Sequence, residues 1–323
     1  MLSTSDLGRV FITGGAGFIG SYTVDALCRN KNEVVVFDNL SSGRLENIKQ
    51  WLNAPNFLFK QSDLLKPEKI QKHLSDCETV FHLAANPEVR LGSTDPKVHY
   101  EQNIATTFNL LEAIRKNGNV KNFVFTSSST VYGDAEKIPT PENYAPLEPV
   151  SVYGASKLAS EALIISFAYT YGFNAALCRL ANIIGPRTQH GVICDFINKL
   201  RKNPKKLEIL GDGTQTKSYL DVEDCVNAML TGISQPIRVE AYNIGSEDKI
   251  NVKKIADIVC REMGLKNVEY VYTGGVDGGR GWKGDVKIML LDIEKIKALG
   301  WKPRLNSHQA VEKTTKALLQ QKE

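Results

Sequence analysis

The sequence predicts an α/β fold: a doubly wound parallel sheet with a smaller C-terminal lobe. Three observations carry it. Short β-branched runs alternate with longer amphipathic ones as far as Leu180. Those short runs are apolar almost throughout, as strands covered on both faces must be. Beyond Leu180 the alternation weakens, and Pro and Gly punctuate the chain at Gly185-Pro186, Asn203-Pro204, Gly211-Asp212-Gly213 and over 274–284.

In order, residues 9–13 read as a strand and Phe18–Arg29 as a helix. Strands follow at 33–37 and 56–61, then a helix near Pro67–Leu74. A fourth strand covers 79–84, and a long helix covers 98–116. A fifth strand at 122–127, a second long helix at Val152–Tyr171 and a sixth strand at 175–180 complete the series. This alternation implies right-handed crossovers between parallel strands. We expect one domain over 1–181 and a lobe over 182–323, with part of roughly 216–246 returning to the first domain. The lobe is expected to consist largely of loops and short elements. It would sit over the carboxyl ends of the strands, where open α/β sheets bind ligands.

Composition narrows the function classes. The 323 residues are 42% hydrophobic, enough for one large domain or two unequal ones. The net charge of +4 is dispersed, and basic clusters such as Lys205-Lys206 and Lys253-Lys254 are short. Neither a nucleic-acid arm nor a membrane-surface patch is expected. Six scattered cysteines form no C-x-x-C pair and no Cys/His cluster, which argues against a zinc site or a disulfide frame. A reducing, cytoplasmic setting fits them. Residues 1–6 lack a basic n-region and an apolar h-region, and no apolar stretch approaches the ~18 residues of a membrane span.

The first strand runs into Thr13-Gly14-Gly15-Ala16-Gly17-Phe18-Ile19-Gly20. Glycines at 14, 17 and 20 allow a tight turn, a close backbone approach to a pyrophosphate, and close packing of helix on strand. The pyrophosphate would sit on the N-terminus of the helix, where unpaired N–H groups and the dipole favour an anion. Asp38 stands 18 residues past Gly20 at the end of the second strand. An acid there accepts bonds from ribose hydroxyls and repels a 2′-phosphate, so NAD is favoured over NADP despite Arg44 nearby. Asp63, before Leu64, is a candidate for adenine recognition or for a helix cap. With these features the fold class becomes a Rossmann-type sheet.

A second group of residues carries chemistry. Tyr153 and Lys157 are spaced i, i+4 at the start of the second long helix and so share one face. A phenol, with a reference pKa near about 10, is a poor base at neutral pH unless a cation such as Lys157 favours the phenolate. The fifth strand ends in five consecutive hydroxyl residues, Thr126-Ser127-Ser128-Ser129-Thr130. A hydroxyl at that point can orient a substrate oxygen and relay its proton. Turn chemistry alone also favours such residues.

Taken together, these motifs resemble the extended short-chain dehydrogenase/reductase family, and within it the nucleotide-sugar epimerases like UDP-galactose (UDP-glucose) 4-epimerase of archaeal and bacterial type. The resemblance covers nearly the whole chain. It includes His82-Leu83-Ala84-Ala85, Asn103, the run 179–187, Gly211-Asp212-Gly213-Thr214-Gln215 and the segment 280–285. It implies an NAD-binding Rossmann domain, a nucleotide-sugar-binding lobe, and 4-epimerisation of a UDP-sugar through a transient 4-keto sugar. Catalytic roles fall on Ser128, Tyr153 and Lys157. The implied cofactor-binding residues are Gly14, Gly17, Phe18, Ile19, Gly20, Asp38, Asn39, Asp63, Leu64, Ala84, Asn103, Tyr153 and Lys157. Ser128, Asn182, Lys217, Arg280 and Met289 would meet the substrate.

The sequence departs from that pattern in places. Lys217 stands where an Arg is usual, and an ammonium lacks the bidentate fork of a guanidinium. The loop around Arg280 aligns with an offset, and either cation also reads as a plain surface charge. Asn182 also reads as a loop-capping amide. Met289 replaces a residue that restricts or opens the sugar pocket, and equally reads as core. UDP-galactose/UDP-glucose is the default substrate, with UDP-N-acetylhexosamine and UDP-glucuronate as alternatives. A 4,6-dehydratase would carry Asp-Glu after the catalytic hydroxyl residue, where Ser129-Thr130 stand. A reductase or decarboxylase of the same family is a further rival. A binding protein that has lost its chemistry is disfavoured by the retained Tyr153. The two long helices carry apolar positions on more than one face, and the resemblance implies a homodimer through a four-helix bundle.

Overall fold

The structure is a computed structural model, described over residues 7–235 and 238–321. The reading of residues 1–6 lies outside that range. The first half runs β1 (Val10–Thr13), α1 (Phe18–Arg29), β2 (Val34–Asp38), β3 (Phe57–Gln61), α2 (Pro67–Leu74) and β4 (Thr79–His82). Next come α3 (Lys97–His99), a π-helical stretch (Tyr100–Ala105), α4 (Thr106–Asn117), β5 (Asn122–Ser128), α5 (Val152–Tyr171) and β6 (Asn174–Leu180). The second half contains β7 (Asn182–Ile184), α6 (Val192–Lys202), β8 (Lys206–Ile209), β9 (Thr216–Lys217), β10 (Tyr219–Asp221), α7 (Val222–Ile233) and β11 (Val239–Ile244). It closes with β12 (Ile250–Asn251), α8 (Val252–Glu262), β13 (Glu269–Tyr272), β14 (Ile288–Met289), α9 (Glu294–Lys297) and α10 (Ser307–Gln320).

Seven strands form one sheet in the order β11-β6-β5-β4-β1-β2-β3. Every pairing in it is parallel. The order reverses around β1 and β4, which makes the crevice between them the switch point of a doubly wound sheet. Side chains alternate across the pleat into two cores. Val10, Ile12, Val36, Val124 and Cys178 face one, with α1 and α7. Phe11, Phe37, Val80, Phe125 and Leu177 face the other, with α2, α4 and α5. This is why the strands read as unbroken apolar runs.

Local signals set the helix ends. Ser151 Oγ accepts the Gly154 N–H at 3.0 Å to start α5, and Gly172 ends it at φ 88°. Gly118, at φ 75°, ends α4. Three expectations need correction. The fourth strand stops at His82, two residues early, because the next N–H groups turn inward: Leu83 N–H donates to the Thr13 carbonyl (3.2 Å) and Ala84 N–H to Thr13 Oγ1 (3.2 Å). The long helix 98–116 is interrupted by the π-helical stretch that carries Asn103. The lobe is far more regular than its punctuation suggests, since α6, α8 and α10 pack a separate core of Phe196, Ile197, Leu200, Ile258, Val259 and Val311. Within 216–246, β11 joins the main sheet beside β6.

Candidate active site

β1 and β4 end level, with Thr13 beside His82, and β5 and β6 end level three residues farther on, with Ser128 beside Leu180. Above them a cavity of about 630 Å³ runs from the glycine turn to the lobe.

At one end lies the turn between β1 and α1. Gly14 has φ +70°, and a Cβ there would stand 2.7 Å from the Ala84 nitrogen. A Cβ on Gly20 would stand 2.0 Å from the Gly14 carbonyl oxygen. Gly17 precedes α1 and supplies no side-chain cap. The N–H groups of Phe18, Ile19 and Gly20 therefore have no intrahelical acceptor, and all three residues line the cavity. Such a bare helix start fits a diphosphate. Asp38 closes this end. Its Oδ2 accepts the Ala16 N–H (2.9 Å) and its Oδ1 the Leu40 N–H (2.8 Å). Burial raises its pKa and these two bonds oppose the rise. Asp63 is not the cap of α2, which follows Lys66. It accepts the Leu65 N–H (2.8 Å) and the Asn39 amide (2.9 Å) at the cavity wall, with Leu64 and Ala84 nearby. Arg44 is exposed and its backbone N–H bonds Ala16. These groups fit a dinucleotide with free ribose hydroxyls.

The middle of the cavity holds Ser128, Tyr153 and Lys157. Ser128 ends β5, and its hydroxyl accepts from Thr130 N–H (3.2 Å) and Thr130 Oγ1 (2.9 Å). It lies close enough to the Tyr153 phenol to oppose the rise of its pKa. Lys157 Nζ donates to the Thr126 carbonyl at 2.8 Å and lies 5.9 Å from the centre of the Tyr153 ring. Burial pushes the phenol up to about 12 and the ammonium down to about 7. The expected lowering of the phenol is thus outweighed by desolvation, which opposes each charge singly. A phenolate and an ammonium formed together carry no net charge, so forming them as a pair reduces that penalty.

Two buried groups hold the floor. His82 Nδ1 bonds Thr13 Oγ1 (2.7 Å) and its Nε2 bonds Thr107 Oγ1 (2.9 Å), and burial drives its pKa to about 3. Asn103 does not line the cavity. It lies beneath it, accepting the Asn86 N–H (2.8 Å) and donating to Ser156 Oγ (2.9 Å). The π-helical turn places it there, as such turns do at functional sites.

The lobe end brings together Asn182, Lys217 and Met289, but not Arg280. Asn182 Nδ2 donates to the Ser218 carbonyl (3.0 Å), so the residue ties its loop and lines the cavity at once. Lys217 Nζ is paired with Asp285 and sits 5.4 Å from the centre of the Trp282 ring. Met289 is 8% exposed, placed opposite Lys217 in the β14–β9 register, so it belongs to both pocket and core. Arg280 turns away because a carboxylate of matching fork geometry captures it: its Nη1 and Nη2 donate to Asp134 at 2.9 and 2.8 Å. Arg187, not singled out from the sequence, lines the cavity instead, with Nη2 on Asp25 (2.8 Å) and its guanidinium over the Tyr22 ring. Among the described residues no group of His, Cys, Asp and Glu could hold a metal ion, and no helix is long and apolar enough to cross a membrane.

A dinucleotide-binding turn and a Ser–Tyr–Lys set in one cavity define an NAD-dependent enzyme of the short-chain dehydrogenase/reductase class. The GDP-mannose 4,6 dehydratase family model matches residues 11–314. A putative UDP-glucose 4-epimerase of Methanocaldococcus jannaschii is 36% identical over 94% of this chain and 96% of its own. A crystal structure of a UDP-galactose 4-epimerase shares 44% identity and a TM-score of 0.84 over 96% of this chain and 98% of that one. The Thermotoga maritima UDP-glucose 4-epimerase with UDP-glucose shares 34% identity and a TM-score of 0.85 over 96% and 98%. The chain belongs to the extended short-chain dehydrogenase/reductase family of NAD-dependent nucleotide-sugar epimerases and dehydratases.

Proposed function

We propose that this enzyme interconverts UDP-galactose and UDP-glucose by inverting C4 of the sugar. The observation that carries the reading is the meeting of Ser128, Tyr153 and Lys157 in one cavity, between the Phe18–Gly20 helix start and the Asn182–Lys217 wall. Tyr153 takes the proton from the sugar 4-hydroxyl. Ser128 lies beside the phenol in the same cavity and orients the sugar oxygen next to it. Lys157, near neutral pKa, supplies the countercharge for the phenolate. When bound, NAD supplies the reversible two-electron oxidation at C4. Phe18, Ile19, Gly20 and Asp38 hold the nucleotide, and Asn182 and Lys217 hold the sugar diphosphate.

Ser129-Thr130 stand where a dehydratase needs an acid pair, which favours epimerisation over water loss. The test is incubation of purified protein with UDP-galactose, first without and then with added NAD, followed by separation of the C4 epimers. Formation of UDP-glucose supports the reading. No conversion under either condition removes this substrate, and UDP-N-acetylglucosamine and UDP-glucuronate are then tried. Failure with all three sinks the epimerase reading.

We also propose a cytoplasmic homodimer, with residues 1–181 as the cofactor domain. Exposed Phe108 on α4 and Tyr169 and Tyr171 on α5 support pairing of these helices with a second copy. Sedimentation at the mass of a single chain would rule the dimer out.

A further inference from the structure

Beneath Ser128 and Lys157 lies a charged network that the reaction above does not use. Glu161 follows Lys157 by four residues on α5 and is 1% exposed. Its carboxylate accepts Ser127 Oγ, Arg179 Nε (3.0 Å) and Arg179 Nη2 (2.7 Å). Arg179 stands on β6 beside Ser127 in the sheet. It also donates to the Tyr132 hydroxyl (3.0 Å) and the Glu142 carbonyl (3.0 Å). Tyr132 in turn donates to Asn243 Oδ1 on β11 (2.7 Å). The carboxylate is thus anchored from β5, from β6 and, through Tyr132, from β11.

A buried ion pair is weak evidence for stability, because desolvation offsets much of its Coulombic gain. Apolar side chains of similar volume pack such a site as well. What distinguishes this pair is its position. Ser127 lies between Thr126, whose carbonyl accepts Lys157 Nζ, and Ser128. We propose that the Glu161–Arg179 pair is a positioning device for the reaction: Glu161 fixes the tip of β5 through Ser127 and places its carboxylate one helical turn behind the Lys157 ammonium. The inference rests on Ser128, Tyr153 and Lys157 being the reacting groups.

The surroundings leave Glu161 as the counterweight. From α5, Tyr153 and Glu161 face Lys157. From β4 and α3 come His82 and His99, both with pKa values lowered chiefly by burial. From β6 comes Arg179, which is committed to Glu161. Burial draws Lys157 down, and Glu161 opposes that fall. Without the carboxylate charge the ammonium loses its support, and Tyr153 loses the countercharge for its phenolate.

The test uses the NAD-bound enzyme. Tyrosinate absorbance is titrated against pH, and subtracting Tyr153→Phe in each background isolates the Tyr153 signal. The main variant combines Glu161→Gln with Arg179→Met, so that no unpaired ion is left behind. The expected result is a folded protein with kcat for UDP-galactose at least about tenfold lower, KM within about twofold, and the Tyr153 midpoint raised by roughly one pH unit. A folded double variant with wild-type kcat and midpoint overturns the proposal. If the double variant does not fold, Ser127→Ala and Glu161→Asp decide, since both keep the charges and loosen the tie. Each should then lower kcat by about three- to tenfold with an unmoved midpoint, and wild-type kcat in both overturns the proposal. The titration needs no substrate, so a wild-type enzyme inactive on UDP-sugars sinks the epimerase reading alone.

Discussion

Lys217 Nζ stands 2.5 Å from Asp285 Oδ1, and Asp285 is 3% exposed. The cation expected to meet a diphosphate is therefore also the partner of a buried carboxylate. Lys217→Met strands that charge and should destabilise the protein by about 3–5 kcal/mol in urea unfolding. Adding Asp285→Asn should restore most of the loss. If Lys217 also holds the substrate diphosphate, the stable double variant still shows a KM for UDP-galactose raised by roughly tenfold or more, equivalent to about 1.4 kcal/mol. An unchanged KM would leave Lys217 with a structural role only.

Asp38 gives a prediction about cofactor choice. Its carboxylate caps two backbone N–H groups and faces the cavity. Asp38→Asn keeps one acceptor and removes the charge that repels a 2′-phosphate. NAD affinity should fall by about tenfold while NADP affinity rises, measured by calorimetry on stripped protein. An unmoved ratio of the two dissociation constants would show that Asp38 only closes its own turn.

Some of this site is legible in the sequence and some is not, for physical reasons. Gly14, Asp38, Ser128, Tyr153 and Lys157 are legible because backbone conformation and strand ends fix their places before any side chain packs. Arg280 is misleading, because residue type says nothing about which carboxylate a loop cation will reach first, and Asp134 lies 146 positions away in sequence. The Lys217–Asp285 pair is hidden for the same reason. Glu161 and Arg179 carry a signal that can be read: a carboxylate one turn past Lys157 on an apolar helix, and an Arg inside an apolar strand, each needing a buried partner. The helices of the lobe are also encoded. Ile193, Phe196, Ile197 and Leu200 recur at helical spacing in α6, and the flanking Gly and Pro obscure them.

The glycine turn yields a graded comparison. A Cβ at position 20 meets the Gly14 carbonyl oxygen at 2.0 Å, whereas at position 17 the same oxygen is 3.1 Å away. Gly17 also has φ −73°, which any residue adopts. Gly20→Ala should separate α1 from β1, costing about 1–3 kcal/mol and most of the NAD binding. Gly17→Ala should fold normally and lose affinity only moderately. Thermal shifts with and without NAD distinguish them. Equal behaviour of the two variants would mean that this turn does not set the cofactor site.

His82 sets an acid limit on stability. It is 1% exposed, bonded on both ring nitrogens to threonine hydroxyls, and its pKa lies at about 3 against an ordinary 6.5. The unfolded chain takes up a proton at this residue below pH 6.5, while the folded chain does not until about pH 3. Its contribution is therefore complete above the unfolded value and is lost as pH falls toward the folded one. Within that window the loss is about 1.4 kcal/mol per pH unit from this group alone. His73 and His99, also lowered by burial, act in the same direction. His82→Gln should lose stability at pH 7, where two hydroxyl partners are disturbed, yet show a flatter decline between pH 6.5 and 5. Urea midpoints taken across that range for both proteins supply the comparison. Parallel declines would mean that His82 is protonated in the fold, with Thr13 and Thr107 both accepting from it.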